Sequence, residues 1–438
     1  MASGKREKEP KGWKYAEECG KITGYGSSGR IKRSKGGKRQ LGAFLHVLKK
    51  EAVILLLLPF RLFPVRENRI LLLSDLDGRY AGNPKYLAEY LIRERKGVYE
   101  LVFALSDPAA YPGLAGKGIR TVKKGSFPYF YFALTSRVFI TDSAGYSYLP
   151  LGKRTLVVNT WHGGGAYKKF NLDFFGRTPS LLKNARINER KTGLMAASCE
   201  RSVDVFGSAM LIPLEKLVPC GSPRNDLFFR KDGKRDEIRN KLGITGKKLC
   251  LYAPTFRRSS KSVSSAAESA SYSVDPEQVI AALRERFGGE WVFAFRYHPK
   301  ITDRRKHFDD AVRDLSEYDD MQELLLAADV LLNDYSSSMW DFALTGRPCF
   351  LFCEDLADYQ GSEDFYTPIR TWPFPLAETM PALLEVIRSF DEETYAVRVA
   401  DHYATLGSYE TGHASEKLMK AVEDKISDKK TAEQERRV

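Results

Sequence analysis

The chain has 438 residues, 43% hydrophobic and 12% aromatic, and a formal net charge of +13 from 69 Lys+Arg against 56 Asp+Glu. That length and apolar content suit two or three domains with sizeable cores and exclude wholesale disorder. No run of about 20 uninterrupted apolar residues exists, so an ordinary membrane-spanning helix is not expected.

The charge is unevenly placed. Residues 1–50 hold 14 Lys+Arg and 4 acids, a net +10, which leaves only +3 for the other 388 residues. A folded nucleic-acid-binding domain with a basic face does not fit, and a basic arm that visits an anionic partner does. Residues 1–40, rich in Gly, Ser and Lys with no apolar period, read as a disordered basic tail. The formal GxGxxG at Gly24–Gly29 has no strand before it and no amphipathic helix close behind it, so it is not a dinucleotide site.

Residues 41–67 contain the apolar run Ala52–Leu58, ended by Pro59 and Pro64. Two readings stay open: a buried helix of the fold, or an interfacial helix lying in a membrane surface. The preceding cations favour the second, because anionic headgroups attract such charges by about 1 kcal/mol each.

From Arg69 on, short apolar runs alternate with helical patterns. Strands are expected at Ile70–Ser74, Leu101–Leu105, Val138–Asp142, Thr155–Thr160, Leu194–Ser198 and Leu217–Cys220. A second series follows at Leu249–Ala253, Val292–Tyr297, Val330–Asn333 and Cys349–Phe352. Helices are expected at Pro84–Glu94, Pro276–Phe287, Met321–Ala328 and Pro381–Phe390. Continuous apolar strands alternating with helices predict an α/β protein with two parallel sheets, divided near the charged helix at Arg230–Gly246. Ser259–Ser273 reads as a mobile Ser-rich loop. Six cysteines without CxxC spacing predict neither a disulfide framework nor a zinc site, and fit a reduced, cytoplasmic compartment.

Parallel sheets bind ligands beyond the carboxyl ends of their strands. Four strand ends carry unusual residues. Asn159-Thr160-Trp161-His162-Gly163-Gly164-Gly165 offers a histidine with room to act as a base and glycines that let a ligand approach, or else a turn with an incidental histidine. Arg257 and Arg258 follow the strand at Leu251 and suit phosphate oxygens, or are solvated surface arginines. Arg296 and His298 emerge together before Pro299, for chemistry or as satisfied structural groups. Asp334, Ser336, Ser337 and Ser338 open a helix, where Asp334 or the serines cap it and an anion could sit. No HExxH, GxxxxGK[ST] or GxSxG is present. Together these ends suggest a diphosphate-bearing donor held between two domains.

Further ordered motifs carry a family resemblance: Trp161-His162-Gly163, Gly221-Ser222-Pro223-Arg224-Asn225-Asp226, Tyr252-Ala253-Pro254-Thr255-Phe256-Arg257, Arg296-Tyr297-His298-Pro299 and Asp334-Tyr335-Ser336-Ser337. Ser74-Asp75, Gly78, Tyr80 and Asn83-Pro84-Lys85 precede them, and Gly412-His413-Ala414-Ser415 follows. The set resembles the CDP-glycerol glycerophosphotransferase family of teichoic-acid primases and polymerases, over about Asn68 to Val422.

The resemblance implies a GT-B-like fold: a basic tail (1–40), a membrane-associating segment (41–67), a Rossmann-like acceptor domain (68–230), a Rossmann-like CDP-donor domain (231–400) and a C-terminal helical segment (401–438), with the two sheet domains facing a central cleft. It implies transfer of glycerol phosphate from CDP-glycerol to a hydroxyl of a lipid-linked, polyprenyl-diphosphate acceptor, with CMP released and no metal or other cofactor. His162 is then the base. His298 contacts the donor phosphates, with Arg257, Arg296, Asp334 and Ser336–Ser338 beside it. Gly163, Lys168, Lys169, Arg224 and Asn225 belong to the acceptor side or its loop. The expected place is the cytoplasmic face of the cell membrane, against anionic lipid and away from nucleic acid. CDP-ribitol as donor, or another GT-B glycosyltransferase of capsule or cell-surface polysaccharide synthesis, are the alternatives. Two departures stand out. After Trp-His-Gly the family's Thr-Pro-Leu-Lys-Lys is replaced by Gly164-Gly165-Ala166-Tyr167-Lys168-Lys169, and its later Asp-Gly-Lys by Thr411-Gly412-His413.

Overall fold

Two all-parallel sheets organise the chain, and each is built on the same strand order. The structure is a computed structural model that describes residues 54–74, 78–255, 274–298, 301, 305, 307–360 and 364–435. The tail at 1–40, the segment up to residue 53, the Ser-rich loop and Arg257 lie outside the described residues. The first sheet contains β1 (Arg66–Leu73), β2 (Glu100–Leu105), β3 (Ile119–Lys123), β4 (Ser136–Thr141), β5 (Leu156–Asn159), β6 (Thr192–Ala197) and β7 (Leu217–Pro219), in the order β3-β2-β1-β4-β5-β6-β7. The second contains β8 (Lys248–Tyr252), β9 (Trp291–Phe295), β10 (Val312–Asp314), β11 (Val330–Asn333), β12 (Cys349–Phe352) and β13 (Leu376–Ala377), in the order β10-β9-β8-β11-β12-β13. Runs such as Ile70–Leu73 and Val292–Phe295 are buried throughout because helices cover both faces of each sheet.

In both sheets the strand order reverses beside the first strand, between β1 and β4 and between β8 and β11. Such reversal points open a crevice at the carboxyl ends of the strands. Three strands had no clear sequence signal. β3 is an edge strand with only two of its five residues buried, β10 has three residues and β13 two, so none presents a continuous apolar run.

Residues 54–57 are helical and continue as a tight turn at Leu58–Leu62. Leu57 is buried with Leu71, Tyr146 and Leu149, whereas Leu55, Leu56 and Leu62 are 66%, 74% and 88% exposed. The described part of the apolar segment is therefore pinned on one side and open to solvent on the other. Among the described residues no helix is long and apolar enough to cross a membrane.

The chain crosses between the cores twice. It enters the second through the helix Lys234–Lys241, and Tyr395, Val399 and Leu406 of the helix Glu392–Leu406 still pack there. Leu418, Met419 and Val422 of the last helix, Ala414–Glu435, are buried in the first core. That helix begins where the Asp226 carboxylate accepts the backbone N–H groups of Ala414 and Ser415, each at 2.8 Å. A carboxylate here satisfies two orphan donors at the positive end of the helix. Asp226→Ala is expected to cost about 1–2 kcal/mol in urea unfolding, with faster amide exchange at Ala414 and Ser415.

Candidate active site at the domain interface

His162 stands three residues beyond the end of β5 in a loop shaped by positive backbone angles, with φ of 52° at Trp161, 69° at Gly165 and 50° at Ala166. The His162 Nδ1 lies 2.8 Å from the backbone carbonyl of Asp142, at the end of β4. A carbonyl only accepts, so Nδ1 carries the proton and the Nε2 lone pair becomes the basic one. Asp142 is itself held, its carboxylate accepting the Ser74 hydroxyl at 2.9 Å beyond the end of β1. The loop cannot lose Gly165: a Cβ there would sit 2.1 Å from the Tyr167 ring.

The loop continues into the other domain. The Tyr167 ring stacks on Trp340 at 3.4 Å, and its hydroxyl pairs with His402 Nε2 at 2.7 Å. Burial, with help from the Arg201 charge, lowers His402 to about 4, so it stays neutral in this stack. Lys168 Nζ donates to the Tyr359 hydroxyl at 2.6 Å, and Lys169 pairs with Asp364 at 2.8 Å. Both lysines thus tie the loop to the second domain.

A buried ion pair lies beneath the loop. Arg224 bonds Asp341 through Nε at 2.9 Å and Nη2 at 2.8 Å, and gives Nη1 to the His162 carbonyl at 2.5 Å. Asn83 accepts the Arg224 N–H at 3.0 Å and donates to the Trp161 carbonyl at 2.8 Å. Asp341 also accepts from Gln322 at 2.8 Å and from Asn225 at 3.0 Å, and Asn225 reaches the Glu410 carboxyl at 3.1 Å. Glu410 takes the Ser222 N–H as well. A cavity of about 20 Å³, room for one water, lies among Gly164, Asn225, Asp341 and Glu410. A second bridge joins Lys85 to Asp320 and, at 2.9 Å, to Glu323, with the Tyr86 hydroxyl on Asp320 at 3.0 Å. Burial alone would lower the Lys85 ammonium, but Asp320, Glu89 and Glu323 raise it well above its ordinary value.

At the second domain's strand ends, Asp334 and Arg296 also hold the scaffold. Asp334 is fully buried and accepts both the N–H and the hydroxyl of Thr255, at 2.8 and 2.5 Å, and the N–H of Tyr335. It fastens the end of β8 to the end of β11 and does not cap the helix Ser338–Ala343, which starts at Ser337 with no side-chain cap. Arg296 likewise gives Nη1 to the carbonyls of Leu315 and Tyr318, and burial lowers it to about 10. Its charge survives at neutral pH, but this donor is committed inside its own domain. Ser336, Ser337 and Ser338 cluster beyond β11, with Asn333 donating to the Ser336 carbonyl at 3.0 Å and the Ser338 hydroxyl at 3.3 Å. His298 is exposed beyond β9, its carbonyl accepting the Ile301 N–H at 2.8 Å.

The structure therefore joins His162, Gly163, Lys168, Lys169, Arg224 and Asn225 in one interface loop system, with His298 and the serines at the ends of the second sheet. Asn83, Asp142, Asp341 and Glu410 had no assigned role in the sequence. Asn83 stands inside a quoted motif, but its pairing with Arg224 spans 141 residues, and that of Asp341 spans 117, so neither leaves a local pattern. Among the described residues no group of three or more His, Cys, Asp or Glu side chains is arranged to hold a metal ion.

The model of the family described as CDP-Glycerol:Poly(glycerophosphate) glycerophosphotransferase matches residues 55–424. The chain is 28% identical over 372 residues to a teichoic acid ribitol-phosphate primase of Bacillus spizizenii, covering 82% of this chain and 91% of that protein. It is 27% identical over 368 residues to a teichoic acid glycerol-phosphate transferase of Staphylococcus aureus, covering 78% and 90%. A solved histidine variant of the wall teichoic acid polymerase TagF, soaked with CDPG, superposes with a TM-score of 0.73 at 23% identity, over 91% of this chain and 100% of that one, which shows a shared GT-B-like fold.

One titration follows from the interface. Burial is the main cause that raises Glu410 from 4.5 to about 7, opposed by the Ser222 N–H and reinforced by Asp341. The folded state binds a proton here that the unfolded state has released, so stability falls as pH rises through this window and levels off above it. The expected loss is roughly 3 kcal/mol between pH 4.5 and 7. Urea unfolding of Glu410→Gln across that range should lack this slope.

Proposed function

The chain belongs to the CDP-glycerol:poly(glycerophosphate) glycerophosphotransferase family, and from that premise we propose that it transfers glycerol phosphate from CDP-glycerol to a hydroxyl of a lipid-linked teichoic-acid or related acceptor. It is an enzyme of teichoic-acid glycerol- or ribitol-phosphate transfer. The observation that carries the transfer chemistry is the His162 imidazole, fixed through Nδ1 on the Asp142 carbonyl with Nε2 left as the base, while the donor class follows from the family.

In this reading Nε2 takes the proton of the acceptor hydroxyl as its oxygen attacks the β-phosphorus. The bond from that phosphorus to the bridging oxygen breaks, CMP leaves with the oxygen and its charge, and a phosphodiester remains. Phosphoryl transfer depends on placement and on neutralising charge on the phosphate oxygens. We assign His298, Arg257 and the Ser336–Ser338 backbone to that task on the donor side. Arg224 is a positioning residue, since it touches the base only through the His162 carbonyl. Ribitol phosphate from CDP-ribitol is the second reading, favoured by the likeness to a ribitol-phosphate primase. The basic tail and the exposed Leu55, Leu56, Leu62 and Phe63 support a place on an anionic membrane surface, on its cytoplasmic side.

His162→Ala is expected to lower CMP release from CDP-glycerol about 10²- to 10⁴-fold with donor affinity kept. Full activity would remove the base assignment, and faster release from CDP-ribitol would select the second reading. Binding to acidic vesicles should weaken as salt rises from 0.05 to about 0.5 M, because screening shortens the reach of the tail charges. Leu62→Glu with Phe63→Glu should reduce vesicle binding without changing turnover of a soluble acceptor.

A further inference from the structure

A pocket of about 450 Å³ opens at the amino ends of β5 and β6, at the opposite end of the first sheet from His162. It takes no part in the reaction described above. Its lining includes five cations, Lys153, Arg190, Lys191, Lys216 and Lys425, against the single carboxylate of Glu215. Two of them build the walls. Lys191 Nζ donates to the carbonyls of Ser147 at 2.6 Å and Leu149 at 2.9 Å, and Lys216 Nζ holds Glu189 at 2.6 Å. Lys153, Arg190 and Lys425 have no ion-pair or hydrogen-bond partner among the described residues, so the lining is strongly net positive despite Glu215. Converging unpaired cations in a concave site select an anion, and phosphate above all.

What lies beside the rim decides the source of that phosphate. Leu151, on the rim, packs in the same cluster as Leu57 and Phe60 of the exposed apolar segment. The Arg61 guanidinium lies 3.9 Å from the position of a Cβ on Gly152, the next rim residue. Around it Leu62 and Phe63 are exposed, and Phe127 is 71% exposed with its ring 4.9 Å from that of Phe60. An apolar edge that continues into a cationic hollow matches a molecule with acyl chains at one end and a phosphate at the other.

We propose that this pocket holds the phosphate of an acidic phospholipid headgroup while the Leu55–Phe63 edge enters the bilayer. The proposal rests on the membrane reading of the tail and apolar segment. It adds a defined headgroup site on the folded domain, separate from the tail.

The test is sedimentation of the full chain with vesicles of phosphatidylglycerol and phosphatidylcholine, against phosphatidylcholine alone. Lys153→Gln with Lys425→Gln should weaken binding to the acidic vesicles about 25-fold, since each charge near the surface is worth about 1 kcal/mol, or about 5-fold. Lys96→Gln with Lys231→Gln removes the same charge from exposed sites elsewhere and should change binding less than 3-fold. CMP release with a soluble acceptor should match the unaltered chain in all of these variants, which reports on folding and on the transfer reaction apart from the pocket. Equal weakening by the two pairs, or no weakening by the first, overturns the site. Release of the protein from acidic vesicles by millimolar inorganic phosphate alone would make the ligand a free phosphate and overturn the lipid assignment. Failure of the unaltered chain to sediment with acidic vesicles would remove the membrane reading beneath it, while leaving CMP release to judge the transfer reaction.

Discussion

Everything at the interface is referred to one buried ion pair, Arg224 with Asp341. Its two charges come from different domains, and burying them is worthwhile only when every remaining donor and acceptor is met. Here Asn225 and Gln322 donate to the Asp341 carboxylate, Asn83 holds the Arg224 backbone N–H, and the last guanidinium arm fixes the carbonyl of His162. Such a pair adds little net stability over an apolar contact of the same size, yet it tolerates few alternative arrangements. One geometry thereby joins the two domains and holds the backbone of the His162 loop. The Tyr167–Trp340 stack and the two lysine contacts then extend that alignment along the loop.

The two sheets repeat a device at their reversal points. In the first, Ser74 beyond β1 bonds Asp142 beyond β4; in the second, Thr255 beyond β8 bonds Asp334 beyond β11. In each, a hydroxyl and a carboxylate clip the two strands whose helices depart to opposite faces. The first clip carries an additional task, because the backbone of Asp142 orients His162. The second leaves Asp334 with its oxygens turned inward, which is why a residue read from its neighbours as a helix cap is part of the scaffold.

Much of this was legible in the sequence. Ten strands were readable as short apolar runs, most of them because a strand buried on both faces has few polar positions to disguise it, the half-buried edge strand β7 excepted. The helix expected at Pro276–Phe287 is present with those bounds, capped by Asp275. His162 was readable because three glycines after a buried strand demand a reason. The partners were not. Asp142, Asp341 and Glu410 act through contacts spanning many residues, and nothing nearby distinguishes them from surface acids until burial is known. The second bond set of Arg296 was hidden for the same reason: its position beyond β9 suits an anion, and its Nη1 is also held by the carbonyls of Leu315 and Tyr318, about 20 residues on.

The return of the last helix to the first domain has a temporal consequence. Leu418, Met419 and Val422 lie in the first core, yet they are made after every strand of the second sheet. A domain that folds as it leaves the ribosome ordinarily closes before the next one appears. Here the first sheet must wait, its apolar groove open, until the second has emerged. The Asp226 carboxylate is in place long before the Ala414 and Ser415 amides that it will bind. The domain translated first is therefore the one completed last, and a nascent chain stalled within the second sheet would display that groove to chaperones.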